Sequence, residues 1–185
     1  MTRPSSHLLQ AVAFFCIALG VFHPAHAQTE SSTALPGGAS SVQESHGDWT
    51  VSCRIVEGRK SCMLLQALAR STGETVLSLE LVPVSETQAE GILLSPFGLK
   101  LADGVRLSVD GTPFSTPFPF MTCVEAGCIV PVEFRAEQLD RLKNGKEALV
   151  SAANASSGAA VELKLSLAGF TTAFVRAREL LALKD

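Results

Sequence analysis

Cysteines are the residues of this sequence whose spacing says most about chemistry, and there are five of them. Neither Cys53 with Cys62 nor Cys123 with Cys128 has the C-x-x-C spacing of a thioredoxin-like redox site. Each of these pairs flanks a short stretch typical of a turn, whereas Cys16 lies in an apolar N-terminal segment. Four cysteines allow three pairings. We favour the two local disulfides, Cys53–Cys62 and Cys123–Cys128, because each would close a turn.

Histidines and carboxylates offer little for catalysis. Three of the four histidines precede Gln28, and only His46 lies in the rest of the chain. A Ser-His-Asp or Cys-His set would need that residue, and a zinc site would need the cysteines or scattered carboxylates. A hydrolase based on two carboxylates would draw on Asp48, Asp103, Asp110, Glu125 and Glu133. Both Asp-Gly pairs among these are ordinary turn motifs, so we predict no catalytic, cofactor-binding or metal site and no enzymatic activity.

Residues 1–27 have the pattern of a secretory signal peptide. Arg3 precedes an apolar run from Leu8 to Phe22 that only Gln10 interrupts, and Ala25-His26-Ala27 is an A-x-A cleavage signal. The run is short for a membrane span, which needs about 20 apolar residues. We therefore predict cleavage after Ala27, no membrane span in the mature protein, and a periplasmic or secreted location, where disulfides form.

The net charge of the mature chain limits the classes of partner that it is expected to bind. Cleavage would remove one of the 15 basic residues and none of the 18 acidic ones, which leaves a net charge of −4. A mildly acidic chain without a basic cluster in its sequence is not expected to bind nucleic acid or anionic membrane surfaces. Residues 28–45 are rich in serine, threonine and glycine, so we predict a flexible linker there. The domain itself is predicted over 46–185.

The first cysteine pair requires a scaffold that brings Cys53 opposite Cys62, and the surrounding residues predict a β-hairpin. The segment 47–53 is rich in β-formers and contains the only tryptophan, Trp49. Glu-Gly-Arg-Lys at 57–60 is typical of a turn, and 61–66 would be the returning strand. Trp49 is large and apolar, so other parts of the domain must pack against it.

The rest of the domain alternates short apolar runs with turn residues. Further strands are predicted over 75–82, 91–94, 105–109, 147–152, 161–167 and on both sides of the second cysteine-closed turn, 121–134. A short helix is predicted over Ala136–Asn144, before the stop residue Gly145. Another is predicted over Gly169–Leu183, with an apolar stripe of Phe170, Phe174, Ala177 and Leu181. The predicted fold class is therefore all-β: an immunoglobulin-like antiparallel β-sandwich with one short helix and a C-terminal helix.

The segment Thr112–Phe120 is too rich in proline to form a central strand. Its aromatic residues, Phe114, Phe118 and Phe120, have two interpretations. They could form an exposed binding strip, or they could plug one side of the core beside the second disulfide. We favour the core, because large exposed apolar patches are uncommon on soluble monomers; the binding strip stays an alternative.

Seven short motifs occur in an order typical of one family of exported bacterial proteins. They are Gly47-Asp48-Trp49-Thr50-Val51-x-Cys53, Cys62, Pro96-Phe97-Gly98-Leu99, Val109-Asp110-Gly111, Pro119-Phe120-x-x-Cys123-x-x-x-Gly127-Cys128, Leu142-Lys143-x-Gly145 and Ser166-Leu167-x-Gly169-Phe170. Together they resemble the invasion-associated locus B family, from Gly47 to about Ala177. One departure is His46, where the family more often has an aromatic residue.

This resemblance implies an immunoglobulin-like β-sandwich in the envelope of a Gram-negative bacterium, or released from it. The residues shared with the family are structural, so it implies no catalytic residues. We expect a non-enzymatic protein that binds a macromolecule, an unidentified protein or envelope component, in host colonisation or envelope function. Two alternatives stay open: a periplasmic envelope-maintenance or chaperone-like factor, and the carboxylate-based hydrolase.

Overall fold

Eleven β-strands, two α-helices and two short 3-10 helices (Pro36–Gly38 and Leu101–Asp103) lie within residues 34–181, the part of the chain that the structure, a computed structural model, describes. The predicted signal peptide over 1–27 lies outside these residues. The elements are β1 (Ser41–His46), β2 (Trp49–Val56), β3 (Arg59–Ala69), β4 (Thr75–Pro83), β5 (Ala89–Ser95), β6 (Arg106–Val109), β7 (Thr112–Pro113), β8 (Thr122–Val124), β9 (Gly127–Phe134), α1 (Ala136–Asn144), β10 (Glu147–Ala153), β11 (Ala160–Ser166) and α2 (Phe170–Leu181).

The strands form two antiparallel sheets. A large sheet has the order β1-β2-β3-β4-β5-β9-β8, and a small sheet has the order β11-β10-β6-β7. Both sheets and both helices bury residues in one hydrophobic core, for example Leu79, Leu107, Leu139 and Phe174. Apolar and polar residues alternate along several strands, for example β2 and β9. Every second side chain of a strand points to the same face of the sheet, so the apolar side chains of these strands face the core. The predicted fold class, an all-β sandwich with one short and one C-terminal helix, is confirmed.

Residues 41–45 of the flexible linker predicted over 28–45 belong to a strand instead, and residues 28–33 lie outside the described part of the chain. Ser41–His46 form β1, which pairs with β2 along its whole length, and Leu35 is buried. The sequence conceals this strand because Val42 is its only apolar residue. Backbone hydrogen bonds to β2 hold β1 in place instead of a buried face, so the folded domain begins before His46.

An ion cluster ties β1 to the C-terminal helix. The Arg176 guanidinium of α2 donates from Nε and Nη2 to the two carboxylate oxygens of Glu44, at 2.7 and 2.9 Å. Glu179 also accepts from Arg176, and His46 Nε2 lies 3.4 Å from Glu44 Oε2. The hydrogen bonds from Arg176 hold the pKa of Glu44 below its ordinary value, against the opposing effect of burial. Glu44 is therefore a charged clasp between the first strand and the last helix.

The Gly47-Asp48 motif near the start of the domain and the Gly169-Phe170 motif near its end meet around Trp49. Asp48 N donates to Ala168 O at 3.0 Å, and a Cβ on Gly169 would lie 1.9 Å from His46 O. This close approach requires glycine. Trp49 itself is fully buried, packs edge-on against Phe170 with ring centroids 5.0 Å apart, and donates from Nε1 to Ser166 O at 2.9 Å. The start of α2 and the end of β11 thus supply the packing that the sequence requires for Trp49.

Both helices lie where the sequence predicts them, although 182 and 183, the last two residues of the range predicted for the second helix, lie outside the described residues. α1 spans the predicted range and buries Leu139 and Leu142. α2 packs against the first strands of the large sheet and against α1. Its buried apolar residues are Phe170, Ala173, Phe174, Ala177 and Leu180, whereas Leu181 is only half-buried. The stripe is wider than predicted because α2 contacts both the sheet and α1.

Candidate binding surfaces of the large sheet

The two local cysteine pairs come together as predicted. Cys53 pairs directly with Cys62 across β2 and β3, and Cys123 with Cys128 across β8 and β9. Their sulfur atoms are at disulfide distance. Their surroundings differ, because Cys53 and Cys62 are each 1% exposed whereas Cys123 is exposed and Cys128 is 2% exposed.

The three phenylalanines of the segment 112–120 do not share one environment. Phe114 is 6% exposed, packs edge-on against Phe134, and lies under the guanidinium of Arg141 at 4.8 Å. Phe118 is half-buried and also packs edge-on against Phe134, with ring centroids 5.7 Å apart. Phe120 is half-buried against the core. Of the three, Phe118 lines a groove on the large sheet.

The candidate carboxylates are spread over the molecule. Asp110 accepts hydrogen bonds from the backbone N–H groups of Lys146 and Glu147, which makes it part of a turn. Asp103 forms an ion pair with Lys100, and Asp48 and Glu133 line separate clefts. Glu125 lies in the turn between β8 and β9. Within residues 34–181, no group of three or more His, Cys, Asp or Glu side chains is arranged to hold a metal ion.

A groove of about 790 Å³ lies where β4, β5 and β9 run side by side. Its lining comprises Val82, Glu90, Gly91, Ile92, Phe118, Pro131, Val132 and Glu133. Strand register places Val82, Glu90 and Glu133 in one row across the three strands. Ile92 lies beside Pro131 two residues further along β5, and therefore on the same face of the sheet. Val82 is 41% exposed and Ile92 is 36% exposed. The groove therefore offers apolar side chains to a partner.

Two carboxylates form one end of this groove. Glu90 and Glu133 are directly opposite each other in the β5–β9 ladder, an arrangement that destabilises a sheet when the charges are alike. Gln88 Nε2 donates to Oε1 of both, at 3.0 and 3.1 Å. Arg135 pairs with Glu133, whereas Glu90 forms no ion pair within residues 34–181. The groove consequently has an acidic end with one carboxylate in excess.

A second cleft, of about 440 Å³, lies at the tip of the β2–β3 hairpin and is basic. Its lining comprises Arg54, Val56, Arg59, Lys60 and Ser61. The sequence alone predicts neither cleft. Each side chain was visible in the sequence, but the grouping of Glu90 with Glu133, or of Arg54 with Arg59, depends on strand register.

Among the described residues, no helix has both the length and the apolar character required to cross a membrane.

The sequence profile of the family described as "Invasion associated locus B (IalB) protein" matches residues 49–178. A curated relative from Brucella abortus (strain 2308), named an invasion protein B homolog, is 40% identical over 150 residues. That alignment covers 80% of this chain and 86% of the relative. "Invasion protein B" of Bartonella bacilliformis is 35% identical over 153 residues, which cover 81% of this chain and 82% of the relative.

The fold is also that of a solved structure with a related sequence. The crystal structure of invasion associated protein b from Bartonella henselae matches with a TM-score of 0.72 and 30% identity. The match covers 77% of this chain and 98% of the crystallised chain. Sequence and fold agree over the same β-sandwich, and the chain belongs to the invasion-associated locus B family.

Proposed function

We propose that this protein is exported from a Gram-negative cell and acts as a non-enzymatic binding protein that holds a protein partner in the groove between β4 and β9. The observation that carries the proposal is the open groove of about 790 Å³ with Val82, Ile92 and Pro131 in its lining. A concave surface that combines an apolar lining with a few polar groups is a typical position for a binding site. Val82 and Ile92 keep 41% and 36% of their surface exposed within the described chain.

The acidic end of the groove defines the chemistry of the partner. Glu90 and Glu133 face each other with one compensating cation, Arg135, so a lysine or arginine from a partner would relieve their repulsion. The aliphatic stem of such a side chain packs well against valine and isoleucine while its charged head reaches the carboxylates. The partner is therefore a protein segment that combines apolar and basic side chains.

Export supports this role and is part of the same proposal. The signal-peptide pattern over 1–27 and the two cysteine pairs at disulfide distance both fit an oxidising compartment. The named relatives are invasion proteins or their homologs, so a role at the host-cell surface is the first setting to test. A periplasmic envelope-maintenance role is the alternative, and fractionation of the native host with a specific antibody separates the two.

The groove can be tested with a defined peptide probe. We expect a fluorescently labelled ten-residue peptide of alternating leucine and lysine to bind the wild-type domain in an anisotropy titration. Ile92→Lys should weaken this binding at least tenfold, because it places a cation in the apolar lining. Val175→Lys is the matched control, since Val175 is similarly exposed, at 43%, but lies on α2.

The acidic end needs its own arm of the experiment. Glu90→Gln/Glu133→Gln should weaken binding of the leucine–lysine peptide and leave a leucine–serine peptide unaffected. Equal loss of binding in the Ile92→Lys and Val175→Lys variants would overturn the groove as the site. Thermal melts of each variant ensure that folded proteins are compared.

Export has a separate test. Protein purified from its native host should have the intact mass of a chain that begins at Gln28. A mass that includes residues 1–27 would contradict the cleaved signal.

A further inference from the structure

We propose that the tip of the β2–β3 hairpin is an anion-binding site for the sulfate or phosphate groups of an acidic polysaccharide. This site is distinct from the groove and does not depend on the function proposed above. Its basis is a group of three cations, Arg54, Arg59 and Lys60, on a cleft of about 440 Å³.

The tip is rigid. Its turn consists of Glu57 and Gly58, both with positive φ (50° and 73°), as in the two-residue turns that match strand twist. The Cys53–Cys62 pair joins the two strands just behind the turn, directly across the ladder. A short turn and a cross-strand disulfide leave the backbone of the tip little freedom. Ligand binding would therefore require little ordering of the backbone, and the entropy cost would fall on the cationic side chains.

The register of the hairpin brings two guanidinium groups to one face. In the strand register, Arg54 lies opposite Ser61 and Val56 lies opposite Arg59. Arg54 and Arg59 are therefore diagonal neighbours on the same face of the sheet. Diagonal neighbours lie about 7–8 Å apart, within reach of long side chains. Two guanidinium forks and the Ser61 hydroxyl can thus donate to one oxyanion, the geometry that arginine favours for sulfate and phosphate.

These cations have no partner within residues 34–181, unlike most others. Arg70, Lys100, Arg135, Lys164 and Arg176 all form ion pairs with carboxylates. Arg141 and Lys143 donate to backbone carbonyls and lie over phenylalanine rings. No ion pair or hydrogen bond of the Arg54, Arg59 or Lys60 side chain occurs in the described part of the chain. The hairpin tip therefore concentrates positive charge that the fold itself does not use.

The rest of the molecule favours a polysaccharide over a bilayer as the source of the anion. The chain is acidic overall, and Glu57 lies at the apex of the turn. A flat anionic membrane would face this negative charge as well as the tip, whereas a flexible polyanion can contact the tip alone. Screening limits such effects to about 8 Å at physiological salt, so the local group of cations dominates for a thin strand. Val56 alone supplies exposed apolar surface there, too little for insertion.

Dextran sulfate, with uncharged dextran of the same length as the control, is a suitable probe for calorimetric titration of the full chain. We expect dextran sulfate to bind, with an affinity that falls as salt rises, and dextran not to bind. Arg54→Gln/Arg59→Gln should weaken binding at least tenfold. The matched control is Arg106→Gln/Lys146→Gln, which removes two exposed cations that also lack an ion pair in residues 34–181 but lie outside this cleft.

Several outcomes would overturn the proposal. One is an equal loss of affinity in the tip and control variants. Others are inorganic sulfate binding as tightly as the polymer, or vesicles of phosphatidylglycerol binding when dextran sulfate does not. The Ile92→Lys groove variant should bind dextran sulfate normally, so failure of the groove proposal and failure of this one are distinguishable. Melting temperatures should match wild type, because Arg54 and Arg59 are exposed.

Discussion

The β2–β3 hairpin lies inside the large sheet, with β1 on one side and β4 on the other, whereas the β8–β9 hairpin forms the opposite edge. Both are closed by a cysteine pair at directly opposed positions. Yet β2 buries every second residue from Trp49 to Cys53, and all three residues of β8 are exposed. Similar covalent closure thus serves two different structural roles. One pair lies within the core, and the other fastens a short strand to the edge of the sheet.

Long-range contacts account for this difference. Trp49 and Gln66 of the first hairpin both donate to Ser166 O, at 2.9 Å in each case, which connects the large sheet to the end of β11. The second hairpin contacts β5 through β9, and Ser95 Oγ donates to Cys128 O at 3.2 Å. The first hairpin therefore joins the two sheets, whereas the second extends one of them.

The largest expected effect comes from Trp49→Ala. It removes a fully buried indole, its contact with Phe170 and a partly buried hydrogen bond to Ser166 O, so the free energy of unfolding should fall by about 3–5 kcal/mol. Met121→Ala, next to the second hairpin and 62% exposed, should change it by less than about 0.5 kcal/mol. Urea denaturation measures both. A small loss for Trp49→Ala would contradict the central role of the first hairpin.

Removal of each cysteine pair sharpens the comparison. Loop-closure entropy alone predicts similar losses, about 2–3 kcal/mol, because both loops are short. Cys53→Ala/Cys62→Ala also removes two fully buried sulfur atoms, so we expect a loss nearer 4 kcal/mol. Cys123→Ala/Cys128→Ala should cost about 2 kcal/mol, since Cys123 is exposed. Equal losses in chemical denaturation would mean that burial of the first pair adds nothing.

Both hairpins were predictable because their signals are local. Each has turn residues between two cysteines, and the turn glycines Gly58 and Gly127 have positive φ in the structure. By contrast, β1 was missed because its residues are polar and its stability derives from pairing with β2. Local sequence shows which segments form strands with an apolar face, but it does not show that a polar segment pairs with a neighbouring strand.

The two candidate binding sites could not be predicted from the sequence for a related reason. Glu90 and Glu133 are far apart in the chain and meet only because β5 and β9 are neighbours in a given register. A shift of that register by one residue would place either carboxylate on the opposite face. In the segment 112–120, residues that are close in the chain have different environments. Phe114 and Phe118 look alike in the sequence, but Phe114 is buried in the core whereas Phe118 lines the groove.

The smallest expected effect on stability concerns β1, the edge strand of the large sheet that lies beside the first hairpin. Glu44→Gln keeps the shape of the side chain but removes the charge that binds Arg176 in two places. We expect a loss of about 0.5–1 kcal/mol at pH 7, typical of an ion pair at a partly exposed position. The sign of the pH dependence follows from the pKa of Glu44, which folding lowers because Arg176 donates hydrogen bonds to the carboxylate.

A lowered pKa means that the Glu44 contribution is fully present above the pKa of the unfolded carboxyl group, about 4.3. It is lost as pH falls through the lower pKa of the folded state. The stability difference between wild type and Glu44→Gln should therefore be present above the unfolded pKa and shrink toward zero as pH falls through the lowered pKa of the folded state. Glu74→Gln is the matched control, because its pair with Arg70 is more exposed and its removal should change little at any pH. A difference for Glu44→Gln that stays unchanged down to the most acidic pH at which the domain is folded would show that packing, not charge, fastens β1 to α2.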